Sequence, residues 1–284
     1  MKAQTKTTVS HLLFLFTFLS YNLSISYFER KFKRKIINGR KTLVKERKWG
    51  TSANFGPRQW FRHKLLAKAI RRYVSSGWAL DAGCGQGGMS LWLLENGYQV
   101  WAFDESQEGI ASVARKAPKI NCFRGKLEEI PLEDESMDLV VAGDVLEHIG
   151  DDEKVVREFF RILKPRGTAI VSVPADPKKW SIDDEWSGHK RRYTKSALEQ
   201  LFQSAGFLTK ECFYWGWPLT WLYYRVFYLK WLKRKLKESG RDKEIQGFQG
   251  SRLWSVLFWG IFWLDWLSVR LPFGIGLIGI FRKR

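Results

Sequence analysis

The stretch Trp78-Ala-Leu-Asp-Ala-Gly-Cys-Gly-Gln-Gly-Gly-Met89 sets three glycines at alternate positions, Gly83, Gly85 and Gly87, after a short apolar run closed by Asp81 and Ala82. A backbone without side chains at such a point lets a ligand approach the main chain, and a helix starting there offers it unpaired N–H groups. Asp104, in VWAFDES, stands twenty-one residues beyond Gly83. An acid at that distance, closing the second strand of a nucleotide-binding sheet, suits a ribose diol. Dinucleotide fingerprints run Gly-x-Gly-x-x-Gly; the spacing Gly83-x-Gly85-x-Gly87 departs from it and makes a nicotinamide cofactor a poor expectation. Two histidines are candidates for moving a proton: His148 in VLEHI and His189 in GHKRRY. His189 is the stronger, because its loop, DPKKWSIDDEWSGHKRRYT, is long, polar and aromatic, as a cover over an acceptor should be. A structural role is the competing reading for both. Glu147 would orient His148 or be a solvated helix acid, and Trp180, Trp186 and Tyr193 would wall an acceptor pocket or merely pack the loop.

The elements that must position these groups are legible as alternating patterns. Trp60, Phe61, Leu65, Leu66, Ala69, Ile70 and Tyr73 recur at helical spacing across Arg58–Tyr73, with Lys64, Lys68, Arg71 and Arg72 on the other face. Strand-like runs follow at Trp78–Asp81, Val100–Phe103, Ile120–Phe123, Met137–Ala142 and Thr168–Val173. Helical runs lie between them at Gly88–Glu95, Gln107–Lys116 and Asp151–Leu163. Gly97 and Gly167 stand where helices should stop. This alternation predicts β-α-β units and a mostly parallel, doubly wound sheet. Thr194–Ala205 reads as a helix capped by Thr194, and Phe207–Trp215 and Gly274–Phe281 read as two more strands. The run 216–273 between those strands is an aromatic helical insertion.

The segment LDAGCGQGG resembles motif I of the class I S-adenosylmethionine (SAM) methyltransferases, LDxGxGxG. Leu127–Ala175 is similar to the third-to-fifth-strand block of the type 11, quinone-biosynthesis-like branch, and Gly188–Phe207 to the stretch that follows it. The resemblance covers Trp49–Trp215 and the final strand. It implies an α/β, Rossmann-like, mostly parallel seven-stranded sheet with an antiparallel last strand, and SAM as cofactor. It places Asp81, Gly83 and Gly85 at the methionine end of SAM, Gly87 at the helix start, and Asp104 on both ribose hydroxyls beside Glu105 and Ser106. It gives adenine contact to the Leu127 main chain, and puts Asp144 by the methionine moiety or the transferred methyl. Two departures stand out: Lys126 replaces the usual adenine-contacting acid, and Arg166 replaces a glycine in KPRG. No metal is expected. A sulfonium donor is already activated, so aligning an acceptor with the methyl supplies much of the rate, and a base is needed only for a phenol, hydroxyl or activated carbon.

The 284-residue chain is 45% hydrophobic and carries 48 Lys+Arg against 29 Asp+Glu, a net charge of +19 that attracts an anionic surface. Cys84, Cys122 and Cys212 are too scattered for a disulfide framework or a metal knuckle. Leu12–Phe28 has no charged side chain, spans about 26 Å as a helix against a bilayer core of about 30 Å, and precedes ten Lys/Arg against two Glu over Glu29–Lys48. Segment 1–28 therefore reads as an anchor, interfacial helix or signal, 29–48 as a basic linker, and 49–284 as the catalytic domain. The positive charge argues for the cytoplasmic membrane face. Eight of the fifteen tryptophans fall between Trp215 and Trp266, interleaved with basic runs, which suits a bilayer interface. The expected reaction is methyl transfer to a lipophilic or lipid-linked small molecule, quinone-precursor-like or polyprenyl-linked. An internal lid or protein groove is the alternative for the insertion. An RNA-directed methyltransferase and a non-catalytic SAM-fold scaffold are alternatives for the whole; long aliphatic runs among the aromatics disfavour nucleic acid.

Overall fold

The computed structural model describes residues 57–239, 265–269 and 271–284. The expected anchor 1–28, linker 29–48 and the insertion's residues 240–264 lie outside the described residues. A first helix, α1 (Pro57–Tyr73), precedes β1 (Trp78–Ala82), α2 (Gly88–Glu95), β2 (Gln99–Asp104), α3 (Gln107–Lys116), β3 (Asn121–Arg124) and β4 (Met137–Gly143). Then come a short 3₁₀ turn at Leu146–His148, α4 (Asp152–Ile162), β5 (Leu163–Pro174), α5 (Ile182–Ser187), α6 (Lys195–Ser204) and β6 (Leu208–Trp215). After β6 run α7 (Leu219–Tyr223), a π-helical turn (Tyr224–Tyr228) and α8 (Leu229–Ser239), and β7 (Gly276–Arg282) closes the chain.

The seven strands form one sheet in the order β3-β2-β1-β4-β5-β7-β6. Neighbours among β1 to β5 run parallel, whereas β7 is antiparallel to both β5 and β6. The architecture matches the seven-stranded Rossmann-like expectation. From β1 the chain winds outward through β2 and β3, then returns to β4 on the other side. The crevice outside the carboxyl ends of β1 and β4 is thus the topological switch point, where such sheets bind ligands. The central strands are apolar because helices cover both faces: Leu139, Val140, Val141 and Ala142 of β4 and Ala169, Ile170 and Val171 of β5 are all buried. Leu80, Phe103, Val140, Val171 and Phe159 share one core, which continues to the far edge where Phe202 stacks on Phe281 at 3.9 Å.

Local chemistry sets the helix ends. Ser106 accepts the Gly109 N–H at 3.1 Å, Asp151 that of Lys154 at 2.9 Å and Thr194 that of Ala197 at 3.1 Å, each satisfying a first-turn donor. Gly97, at φ 87°, follows the end of α2 as expected. Gly167 does not end a helix. It lies inside β5, where the ladder passes from Leu163 to Thr168 against only Met137 to Leu139, so Lys164–Gly167 bulge outward. In that bulge Arg166 sits at φ 66°, the left-handed region that glycine favours, which explains why glycine is the commoner residue in KPRG.

The insertion leaves β6 and packs partly onto the domain. Thr220, Tyr223, Tyr224, Leu229 and Leu232 are buried, while Leu222, Val226 and Phe227 are exposed. Asp265, fully buried, accepts the Leu219 and Thr220 N–H groups at 2.8 and 2.7 Å and so caps α7 from a distance. Trp215 and Trp266 lie 6.2 and 6.0 Å from Phe61 of α1. Trp215 is buried there and Trp266 half-buried. Among the described residues, no helix is long and apolar enough to cross a membrane.

Candidate active site

Main-chain geometry makes the glycine loop. Gly83 and Cys84 both donate to the Phe103 carbonyl, at 2.8 and 3.1 Å, tying the loop to the end of β2. The three glycines all have positive φ, 75°, 51° and 81°. Their surroundings differ. A methyl added at Gly83 would stand 2.5 Å from Val145 Cγ2, whereas one at Gly85 would meet nothing within 4 Å. Gly83 is therefore a packing glycine, and Gly85 faces open space at the switch point. Gly87, left-handed, begins α2 as expected.

Asp104 ends β2 with its carboxylate fixed at both oxygens. Oδ2 accepts the Gly85 N–H at 2.8 Å, and Oδ1 accepts the Ser106 N–H at 2.8 Å. Each oxygen keeps a further lone pair, so the carboxylate is aimed yet still able to accept two hydroxyls beside the open face of Gly85. Asp81 is buried one strand over, its Oδ2 taking the Ser90 hydroxyl at 2.5 Å. Burial pushes its carboxyl up to about 6; the Ser90 bond opposes this and Asp104 reinforces it. The Leu127 side chain belongs to the core, so any contact from this residue falls to its main chain. The Glu105 carbonyl accepts Arg124 Nε at 2.9 Å.

Past β4, Asp144 adopts φ 57° and pairs with Arg62 of α1, while its Oδ1 accepts the Ser172 hydroxyl at 2.9 Å. Burial lowers Arg62 to about 10, with Arg58 adding to the shift and Glu147 opposing it. Beyond Asp144 the two histidines meet. The His148 and His189 rings lie 4.7 Å apart, edge to face. His189 Nδ1 is 2.9 Å from Asp184 Oδ1. Burial pushes the Asp184 carboxyl up, but the hydrogen bonds from His189 and Arg192 more than offset this and hold it far below the usual range. An ionised carboxylate can only accept, so Nδ1 donates, and in the neutral ring Nε2 carries the lone pair. Burial and the neighbouring His189 lower His148 to about 4.

Glu147 is not a solvated acid. It is fully buried, neither carboxylate oxygen has a hydrogen-bond partner, and Oε1 stands 4.0 Å from His189 Nε2. Burial raises it to about 8. The donor atoms of Glu147, His148 and His189 lie within 4.8 Å of one another, so the two rings and the buried carboxyl form one cluster.

Residues 80–171 match the family described as the methyltransferase domain of type 11. Residues 80–171 therefore form a methyltransferase domain, similar to that of SAM-dependent methyltransferases. A probable S-adenosylmethionine-dependent methyltransferase from Mycolicibacterium smegmatis is 31% identical over 157 residues, covering 54% of this chain and 60% of the relative. A ubiquinone biosynthesis O-methyltransferase from Rickettsia akari is 32% identical over 112 residues, covering 38% of this chain and 44% of the relative. The chain thus spans less than two thirds of either relative. In fold, the solved structure of the [4+2]-cyclase SpnF superposes with a TM-score of 0.57 at 19% identity, covering 84% of this chain and 87% of that one.

At the carboxyl ends of the strands, the structure gathers Asp81, Gly83, Gly85, Gly87 and Asp104 around one loop, and Asp144, His148 and His189 beyond the next strands. Most of the groups that hold His189 leave no local signal in the sequence. Arg192 clasps Asp184 with Nε and Nη2, each at 2.7 Å, and Ser181 N donates to Asp184 Oδ2 at 2.7 Å. Arg58 reaches Asp183 at 3.1 Å from 125 residues away. The SIDDE segment, a serine three residues ahead of an acid, was the one local signal, a capping box that the structure forms. Tyr193 is buried, donating to Asp152 at 2.7 Å, and so braces the loop.

Proposed function

We propose that this chain transfers the methyl group of SAM to a lipophilic or lipid-linked small acceptor at an anionic membrane surface. The observation that carries the donor assignment is Gly85. Its α-carbon faces open space, and the adjoining Asp104 carboxylate has spare lone pairs on both oxygens. An adenosyl ribose fits that arrangement. Gly85 would admit the nucleoside to the main chain, Asp104 would hold the sugar hydroxyls, and Asp81 and Asp144 would border the methionine end. When bound, SAM supplies an electrophilic methyl on a sulfonium. The chain then has to orient the acceptor, exclude water and receive any proton released. His189, held by Asp184 in the tautomer that leaves Nε2 open, receives it; His148, lowered by burial, stays neutral beside it.

Support for the membrane comes from the insertion. The exposed Leu222, Val226 and Phe227 lead along the same helical run into exposed Lys230, Lys233, Arg234 and Lys237. An apolar face bordered by cations sits well in a headgroup region, each cation adding about 1 kcal/mol near an anionic leaflet. A hydrophobic acceptor partitions into that layer. The ubiquinone-pathway relative carries a name consistent with such an acceptor. The test is incubation of the protein and methyl-labelled SAM with a total lipid extract, followed by mass spectrometry. A labelled lipid-soluble product is expected; label appearing only in added tRNA would overturn the acceptor class.

A further inference from the structure

Asp183 and Asp184 are neighbours in sequence, both buried, and they face different partners. Asp184 holds His189. Asp183 accepts three donors: Tyr224 Oη at 3.1 Å, Tyr228 Oη at 2.9 Å and Arg58 Nη1 at 3.1 Å. Tyr224 Oη also lies 2.9 Å from Ser181 Oγ, at the N-cap of α5, and 3.5 Å from Arg192 Nη2, the nitrogen that clasps Asp184. The Tyr224 and Tyr228 rings stack at 5.6 Å, and the Arg58 guanidinium lies 5.0 and 5.4 Å from their centres. Both tyrosines come from the π-helical turn of the insertion, the element whose outward residues Val226 and Phe227 are exposed.

We propose that Tyr224 and Tyr228 are positioning residues for His189, acting through the Asp183–Asp184 pair; this rests on the reading of His189 as the proton acceptor. Helix α5 has six residues, too few to hold its own shape, so its start must be fixed from outside. The tyrosine hydroxyls do this by filling the acceptor sites of a buried carboxylate that would otherwise be costly to leave unpaired. With Asp183 pinned, the next residue presents Asp184 to the imidazole in one orientation. The insertion therefore has an inner task as well as an outer face: its tyrosines set the tautomer of the base.

The experiment uses the full chain with nitrogen-labelled imidazoles, His189 being assigned through H189Q. In wild type the neutral His189 ring is expected as the Nδ1–H tautomer. Y224F/Y228F keeps both rings but removes both hydroxyls, and should shift the tautomer ratio by about tenfold, the scale of one lost buried hydrogen bond. Y228F, which removes only an Asp183 contact, should shift it less and serves if the double variant does not fold. Turnover on the lipid extract should fall through kcat, with the KM for SAM unchanged, because the tyrosines do not touch the Gly85 and Asp104 crevice. A folded Y224F/Y228F protein with an unaltered His189 signal overturns the proposal. H189Q with full kcat would instead sink the base assignment, while leaving the measured tautomer effect intact.

Discussion

The glycine loop offers a test in which stability and ligand affinity separate. Replacing Gly85 with alanine puts a left-handed residue at φ 51°, which costs about 1–2 kcal/mol of folding stability, and its methyl meets no protein atom within 4 Å. Replacing Gly83 adds a methyl 2.5 Å from Val145 Cγ2, so an overpacking cost of about 1–3 kcal/mol joins the same backbone strain. G83A should therefore lose roughly 2–5 kcal/mol in urea unfolding, and G85A much less. The order reverses for the donor. If SAM occupies the space that Gly85 opens, the G85A methyl intrudes on the ligand at a similar overpacking cost. That cost corresponds to a roughly 5- to 150-fold rise in Kd. Urea titration gives the first quantity, and calorimetry with SAM or S-adenosylhomocysteine gives the second. A G85A protein that is folded and binds SAM with the wild-type Kd would refute the reasoning, since the open face of Gly85 would then not be where the donor lies.

D104N keeps the shape of the side chain but turns one accepting oxygen into an NH2 group, so one of the Gly85 and Ser106 N–H groups and one proposed sugar hydroxyl lose their acceptor. That loss, with the charge, should raise the SAM Kd by at least about tenfold in calorimetry, with little change in a competing methionine fragment. Asp81 predicts a pH effect. Its carboxyl is raised from 3.8 to about 6 in the folded state, so the unfolded chain ionises first and this group's contribution to stability, full below pH 3.8, declines as pH rises to about 6. The loss is about 3 kcal/mol across that window; D81N, which still accepts the Ser90 hydroxyl, should unfold without that slope when the two proteins are compared in urea at pH 4 and pH 6. F227D, at an exposed site of the insertion, should abolish flotation with vesicles containing about a third anionic lipid while leaving SAM affinity unchanged, and K233E should weaken flotation only at low salt.

The residue order alone determined the sheet and its glycine loop, because the signals are local. Alternating apolar runs form strands and helices wherever they occur, and a glycine triplet with an acid one strand later brings Gly85 and Asp104 together through the β-α-β crossover itself. Predicted bounds such as Gln107–Lys116 for α3 recur unchanged in the structure. In the sequence Asp265 merely interrupts an apolar run; only the fold shows it capping α7 forty-six residues upstream. The histidine cluster was decided in the same way. His189 was visible as a candidate, but its Nδ1 is held by Asp184, and Asp184 by Arg192 and Ser181, while Arg58, Tyr224 and Tyr228 anchor its neighbour Asp183. Those groups come from separate elements with no shared periodicity, and a buried charge acquires its partners only when packing has chosen its neighbours. Local pattern specifies backbone; desolvation, which exists only in the folded chain, specifies which side chains are forced to pair.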